Sequence, residues 1–153
     1  MDSIDFELNS DLANDSLWIL DLPLCQVHLM KDSRFFWALL VPRLAAAHEW
    51  FTLGLADQQR LHLETMQVAR ALKKVARADK INIGALGNVV PQLHVHVVAR
   101  NLGDACWPGP VWGTQMQVPS DALMQSRSAV LLAELEEPGF AHARERRDSV
   151  TGD

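Results

Sequence analysis

Two histidines stand one residue apart in the apolar run PQLHVHVVAR, residues 91–100. Side chains of a β-strand alternate between faces. Gln92, His94, His96 and Val98 then share one face, and Leu93, Val95 and Val97 share the other. The second set is apolar and should bury against a helix. The two imidazoles would stand about 6–7 Å apart at their bases, on an element rigid enough to hold reacting groups in place. Imidazole attacks phosphorus or carbonyl carbon and moves protons near neutral pH. One ring can be a nucleophile while the other donates a hydrogen bond to phosphoryl oxygens or a leaving group. A like-charged neighbour also keeps one ring neutral, as a nucleophile requires. Two further readings stay open: decoration of a wet strand face, and a metal site, since HxH offers two nitrogen ligands. The metal reading wants a third ligand, and no carboxylate follows before Asp104.

The surrounding pattern predicts the elements that carry this strand. LPLCQVHLM, residues 22–30, alternates loosely and reads as a strand with one wet face, where His28 is near a pocket or exposed. A turn at residues 31–34 leads into FFWALLVPR, a buried strand ended by Pro42, which has no N–H for a ladder. The two predict an antiparallel hairpin. Residues 55–80 are the clearest helix: Leu61, Thr65, Val68, Leu72 and Val75 form one stripe, while Arg60, Glu64, Gln67, Arg70 and Lys74 occupy other faces. Asp57 suits the N-terminus and Lys73, Lys74 and Arg77 the C-terminus, as the helix dipole favours. INIGALGNVVPQLHVHVVAR reads as strand, turn at Gly84 and Gly87, and strand. LGDACWPGPVWG predicts a packed loop, with Trp107 and Trp112 covering the site or reaching a second subunit. Residues 119–137 predict a helix capped by Ser120 or Asp121, with Leu123, Val130 and Leu131 inward and Pro138 and Gly139 as its stop. Half-wet strands with short turns predict an α+β domain: an antiparallel sheet with two main helices on one side. The division expected is one domain over residues 1–137 and a polar tail over 138–153 that would be flexible alone and that a partner subunit would hold.

Length and composition bound the function. A chain of 153 residues fits one domain, which at this size buries roughly 70% of its unfolded surface. Net charge is −5, which argues against polymeric nucleic acid, because that partner demands clustered Lys and Arg. A small anion remains compatible, since a local site can be positive on an acidic protein. Cys25 and Cys106 are the only cysteines and form no CxxC pair, so a reduced compartment is expected and no thiolate zinc site. The acidic start MDSIDFELNSD has no signal-peptide pattern. No apolar run reaches the roughly 18–20 residues of a membrane span. The expectation is a cytoplasmic protein without a membrane partner.

QLHVHVV resembles the signature of the histidine triad (HIT) family, His-φ-His-φ-His-φ-φ with φ apolar. Upstream, WALLVPR resembles the family's His-x-Leu-Val-x-Pro strand, and the intervening helix and glycine-containing turn also fit. The resemblance covers roughly residues 20–113. It implies a nucleotide-binding hydrolase or transferase acting on a phosphoramidate, a dinucleoside polyphosphate or a nucleotidyl ester, with a purine nucleotide or nucleoside phosphate derivative as partner. It implies His94 as the nucleophile on the α-phosphorus, His96 as the contact to the phosphate and scissile side, and a homodimer. No cofactor is expected. Three positions depart from the pattern: Gln92 replaces the first triad histidine, Trp37 an upstream histidine, and Val89 a phosphate-contacting hydroxyl residue. Gln92 can still supply an amide hydrogen bond to the site, whereas a lost phosphate contact costs about 10² to 10³ in rate. The same fold holding a nucleotide without turnover therefore stays open. The resemblance also points to Asn82 and Asn88 for phosphate or ribose and to Asp32 for ribose, against ordinary turn chemistry for each. Arg43 and Arg100 are candidates for positive charge near the site. Trp37 packs under a base or in the core. His48, His62 and His142 have no recognisable chemical neighbours, and His62 with Glu64 lacks HExxH spacing.

Overall fold

The computed structural model describes residues 6–137. The expected tail, with His142, Pro138 and Gly139, lies outside the described residues. Five strands form one sheet: β1 (Ser16–Asp21), β2 (Cys25–Met30), β3 (Trp37–Pro42), β4 (Lys80–Gly84) and β5 (Val95–Arg100). Their spatial order is β1-β2-β3-β5-β4, and every neighbouring pair is antiparallel. The helices are α1 (Ser10–Asp15), α2 (Leu55–Val75) and α3 (Asp121–Glu136). The α+β architecture and the hairpin of β2 and β3 agree with the sequence pattern. The sequence pattern predicts no element before residue 22, yet α1 and β1 lie there. β1 is an irregular edge strand with a register shift between Trp18 and Leu20. Leu17 and Trp18 both face solvent, so β1 shows none of the buried alternation that reveals a strand.

Two apolar clusters sandwich the sheet. On one side Leu61, Val68 and Leu72 of α2 and Met124, Leu131 and Leu135 of α3 pack on Val27, Leu40, Val95 and Val97. On the other, Trp37, Leu39, Val41 and Val98 are covered by Leu12, Phe35 and Val111, with Phe6, Leu8, Trp112 and Met116 at the margin. The alternation of residues 93–99 thus sorts onto two faces, as its period of two requires. α3 turns differently from expectation. Leu123 is only half-buried and Val130 is exposed, while Met124, Leu131 and Leu135 face inward. Ser120 caps this helix by accepting from the Leu123 N–H.

α2 departs from its expected stripe at one residue. Glu64 is buried, not solvated. Its Oε1 accepts from the Leu24 N–H and its Oε2 from the Cys25 N–H, each at 2.9 Å. The carboxylate thereby ties the start of β2 to the helix. Burial and the neighbouring Glu64 push the Cys25 thiol far up, so that cysteine is an inert core residue. At the other end of α2, the Lys73 ammonium donates to the Ala78 and Asp79 carbonyls, and Arg77 takes a positive φ of 49° that turns the chain into β4.

Candidate functional site

His96 lies inside β5, opposite Leu39 of β3 and Gly84 of β4. His94 sits immediately before the first residue of β5. The rings meet edge to face, 4.9 Å between centroids, and both side chains are buried. The expected pair is therefore present, on one face, with one member on the strand and one at its entrance.

The hydrogen bonds assign a tautomer to each ring. The Nδ1 of His94 lies 2.6 Å from the Gln92 main-chain carbonyl. A carbonyl only accepts, so Nδ1 carries the proton and Nε2 keeps a bare lone pair. The Trp37 indole N–H donates to the Nδ1 of His96 at 3.0 Å. An indole N–H only donates, so a neutral His96 carries its proton on Nε2. The pair offers one nucleophilic nitrogen and, beside it, one N–H donor. Trp37 is thus both a core residue and the group that fixes His96. Trp112 completes the box, edge-on to His96 at 5.7 Å. Glycine at 84 makes room for that indole, since a Cβ there would come within 3.0 Å of the Trp112 ring.

Burial first, and the charge of His94 second, push the pKa of His96 down to about 3. Burial likewise lowers His28, which is no wet-face residue. It is enclosed on β2, within 3.1 Å of both the Ser16 hydroxyl and the Gln26 amide oxygen. The unfolded chain protonates these rings near pH 6.5, and the folded chain only at lower pH. Stability is therefore complete above that pH and is lost as pH falls below it. From pH 7.5 to pH 5, His96 alone should lower unfolding free energy by about 2 kcal/mol. Urea midpoints measured across this range check it, and a flat profile would contradict it.

A cavity of about 190 Å³ opens on His94, lined also by His48, Glu49, Phe51, Leu86 and Gly87. This is below the roughly 300 Å³ of a pocket that encloses a drug-sized ligand. It can take a phosphoryl group and the atoms next to it, with the remainder of a ligand lying outside. His48 has no recognisable motif around it in the chain, yet it stands on this wall with Glu49. Folding brings them there: Ala46 adopts a positive φ of 53°, and the Leu93 N–H donates to the Ala47 carbonyl at 2.8 Å. The Thr52 hydroxyl donates to the Glu49 carbonyl and the Gln58 amide to the Phe51 and Leu53 carbonyls, which stiffens the wall.

The other expected ligand contacts are not on that wall. Asp32 is fully buried. Arg34 occupies both of its oxygens, at 3.0 and 2.7 Å, and holds its carboxyl below the usual range against the opposing effect of burial. Arg100 is buried against Asp104 at 2.8 Å and donates to the Asn82 Oδ1 at 2.8 Å. That pair of residues clamps β4 to β5 and to the following loop, with Trp107 stacked over the guanidinium. Arg43 donates to the Leu22 and Pro23 carbonyls. Asn88 is exposed, and Val89 almost wholly so. The side chain of Gln92 does not bond the histidines. Its Oε1 accepts from the Asn9 N–H and its Nε2 donates to the Glu7 carbonyl, both at 2.9 Å. His62 lies in a separate shallow groove on α2 with Trp50, Leu55 and Gln59. Among the described residues no group of three or more His, Cys, Asp or Glu is placed to hold a metal ion. No helix among them is long and apolar enough to cross a membrane.

Comparison with known proteins agrees with this geometry. The HIT domain family matches residues 12–102. A histidine triad protein from Sinorhizobium meliloti 1021 is 46% identical, with a TM-score of 0.83 over 85% of this chain and 97% of that one. One from Bradyrhizobium japonicum is 45% identical, with a TM-score of 0.82 over 84% and 97%. One from Marinobacter aquaeolei VT8 is 39% identical, with a TM-score of 0.79 over 90% and 97%. No curated protein matches the chain. The match over the whole sheet and α2, together with these structures, places the chain in the histidine triad family.

Proposed function

We propose that this protein is a nucleotidyl hydrolase or transferase that works through a nucleotidyl-histidine intermediate. The observation that carries the reading is the bare Nε2 of His94, fixed by the Gln92 carbonyl, in a side chain that lines the cavity. The lone pair of Nε2 attacks the α-phosphorus of a nucleoside phosphate derivative. The bond from phosphorus to the leaving nitrogen or oxygen breaks, and the leaving group departs with a proton taken from solvent, which the attacking water of the next step returns. Water then attacks the same phosphorus and releases His94, giving a nucleoside monophosphate. His96, neutral at physiological pH, donates its Nε2–H to the phosphoryl oxygens or the leaving group as charge develops. The purine preference follows from the family resemblance.

The lining residues of the cavity include no Lys or Arg and do include Glu49. That favours a phosphoramidate or a nucleotidyl ester over a polyphosphate, whose charge would meet the carboxylate unpaired. The test is incubation with an adenosine phosphoramidate, an adenylyl ester and a diadenosine polyphosphate, followed by acid-free mass spectrometry. A nucleotidyl adduct on the peptide carrying His94 is expected. Turnover with the adduct on any other residue would overturn the assignment.

A second reading, a binding module without turnover, is favoured by Val89, which offers no hydroxyl at the position where the family has one. Thermal stabilisation by purine mononucleotides with no product formed would select it. Homodimerisation is also proposed: β4 is an edge of the sheet, and Ile83, Leu86 and Val89 are exposed along it and in the following turn. Such an edge is a template for a second strand. Sedimentation equilibrium reads it directly.

A further inference from the structure

Gln92 joins two parts of the molecule. Its side-chain amide grips the two peptide groups that flank Leu8, accepting from Asn9 and donating to Glu7. Its own carbonyl holds the proton of His94. The gripped segment is part of the site's surroundings. Phe6 and Leu8 pack on the cluster that contains Trp37, and Trp37 fixes His96. Asn9 then starts α1 by accepting from the Asp11 N–H, and Leu12 of α1 is buried in the same cluster.

An amide is suited to this position. It carries an acceptor and a donor on one carbon, facing the same side, and so matches a carbonyl and an N–H two residues apart on an extended chain, as a neighbouring strand would. The two nitrogens of an imidazole point to opposite sides of a ring and cannot meet both groups.

We propose that Gln92 is a positioning residue: its side chain locks the segment at residues 6–9, and that lock holds the Gln92 main chain where its carbonyl fixes the tautomer of His94. The inference rests on His94 acting as the nucleophile. It has a consequence opposite to what the family signature implies. Gln92→His, which writes three alternating histidines into this chain, lowers turnover instead of raising it.

The experiment compares the full-length protein with Gln92→His and Gln92→Glu. The readouts are kcat and KM for an adenosine phosphoramidate, hydrogen exchange at the Asn9 amide, and the nitrogen-15 shifts of the His94 ring. In Gln92→His, kcat should fall about tenfold or more, with KM little changed. The Asn9 amide should exchange at least about tenfold faster, and His94 should populate both tautomers. Gln92→Glu keeps the shape and the acceptor but loses the donor, so it should fall between the two and stay folded. Unchanged exchange and a fixed His94 tautomer in Gln92→His, or faster turnover than the parent, would overturn the proposal. If the parent protein itself turns over nothing, the enzymatic reading fails, and the exchange and tautomer data still decide the role of Gln92.

Discussion

Replacement of His94 by alanine is expected to lower turnover of a nucleoside phosphoramidate by at least about 10⁴-fold, the scale on which loss of a covalent nucleophile is felt. The reasoning is geometric. Its Nδ1 is committed to the Gln92 carbonyl, so its other nitrogen is bare at all pH values where the ring is neutral. No second nucleophile lines the cavity in the same state, since His48 is exposed and no hydrogen bond from the described residues holds its ring in one tautomer. Alanine also removes a ring packed on His96, so the control must show retained fold by circular dichroism. His62→Ala, in its separate groove on α2, should keep the parent rate. Equal losses in both variants would show that the assay reads folding instead of chemistry, and full activity in His94→Ala would remove the nucleophile from the mechanism.

Glu64→Leu is expected to destabilise the fold strongly although it lies away from the site. The carboxylate is buried and meets two buried backbone N–H groups, of Leu24 and Cys25. Leucine fills much of the volume but accepts no hydrogen bond. Each buried donor left unpaired costs about 1–3 kcal/mol, so a loss of about 3 kcal/mol or more is expected. Glu64→Gln retains one acceptor oxygen and should lose roughly half as much. Denaturant titration at neutral pH measures both. A loss under about 1 kcal/mol for leucine would mean that β2 finds other partners.

Periodicity was a sound guide where an element buries one face. The stripe on α2 was legible at Leu61, Val68 and Leu72, and the two faces of residues 92–98 were legible because a strand has a period of two. Periodicity failed where a polar residue has a reason to be inside. Glu64 falls in the helical pattern as an ordinary surface charge, and nothing local shows that the start of β2 will arrive beside it. His28 alternates as a wet residue would, although the sheet face it shares is covered by the second apolar cluster. Asp32 and Arg100 carry charge suited to a nucleotide, but each meets an opposite charge within four residues, Arg34 and Asp104. That proximity was visible in the chain and was the available sign of an internal clamp.

The sequence by itself determined the α+β layering and the placing of His94 and His96 on one face, because each follows from local spacing, and it carried the motifs that resemble the family. The tertiary structure alone decided which nitrogen of each ring is bare, what wall faces His94, and what Gln92 holds. Those properties depend on contacts between distant segments: the Gln92 amide meets Asn9 across 83 residues, Trp37 reaches His96 across 59, and Glu64 meets Leu24 across 40. A hydrogen bond is set by direction and distance in space, and residue order along the chain carries no record of either until the chain has folded.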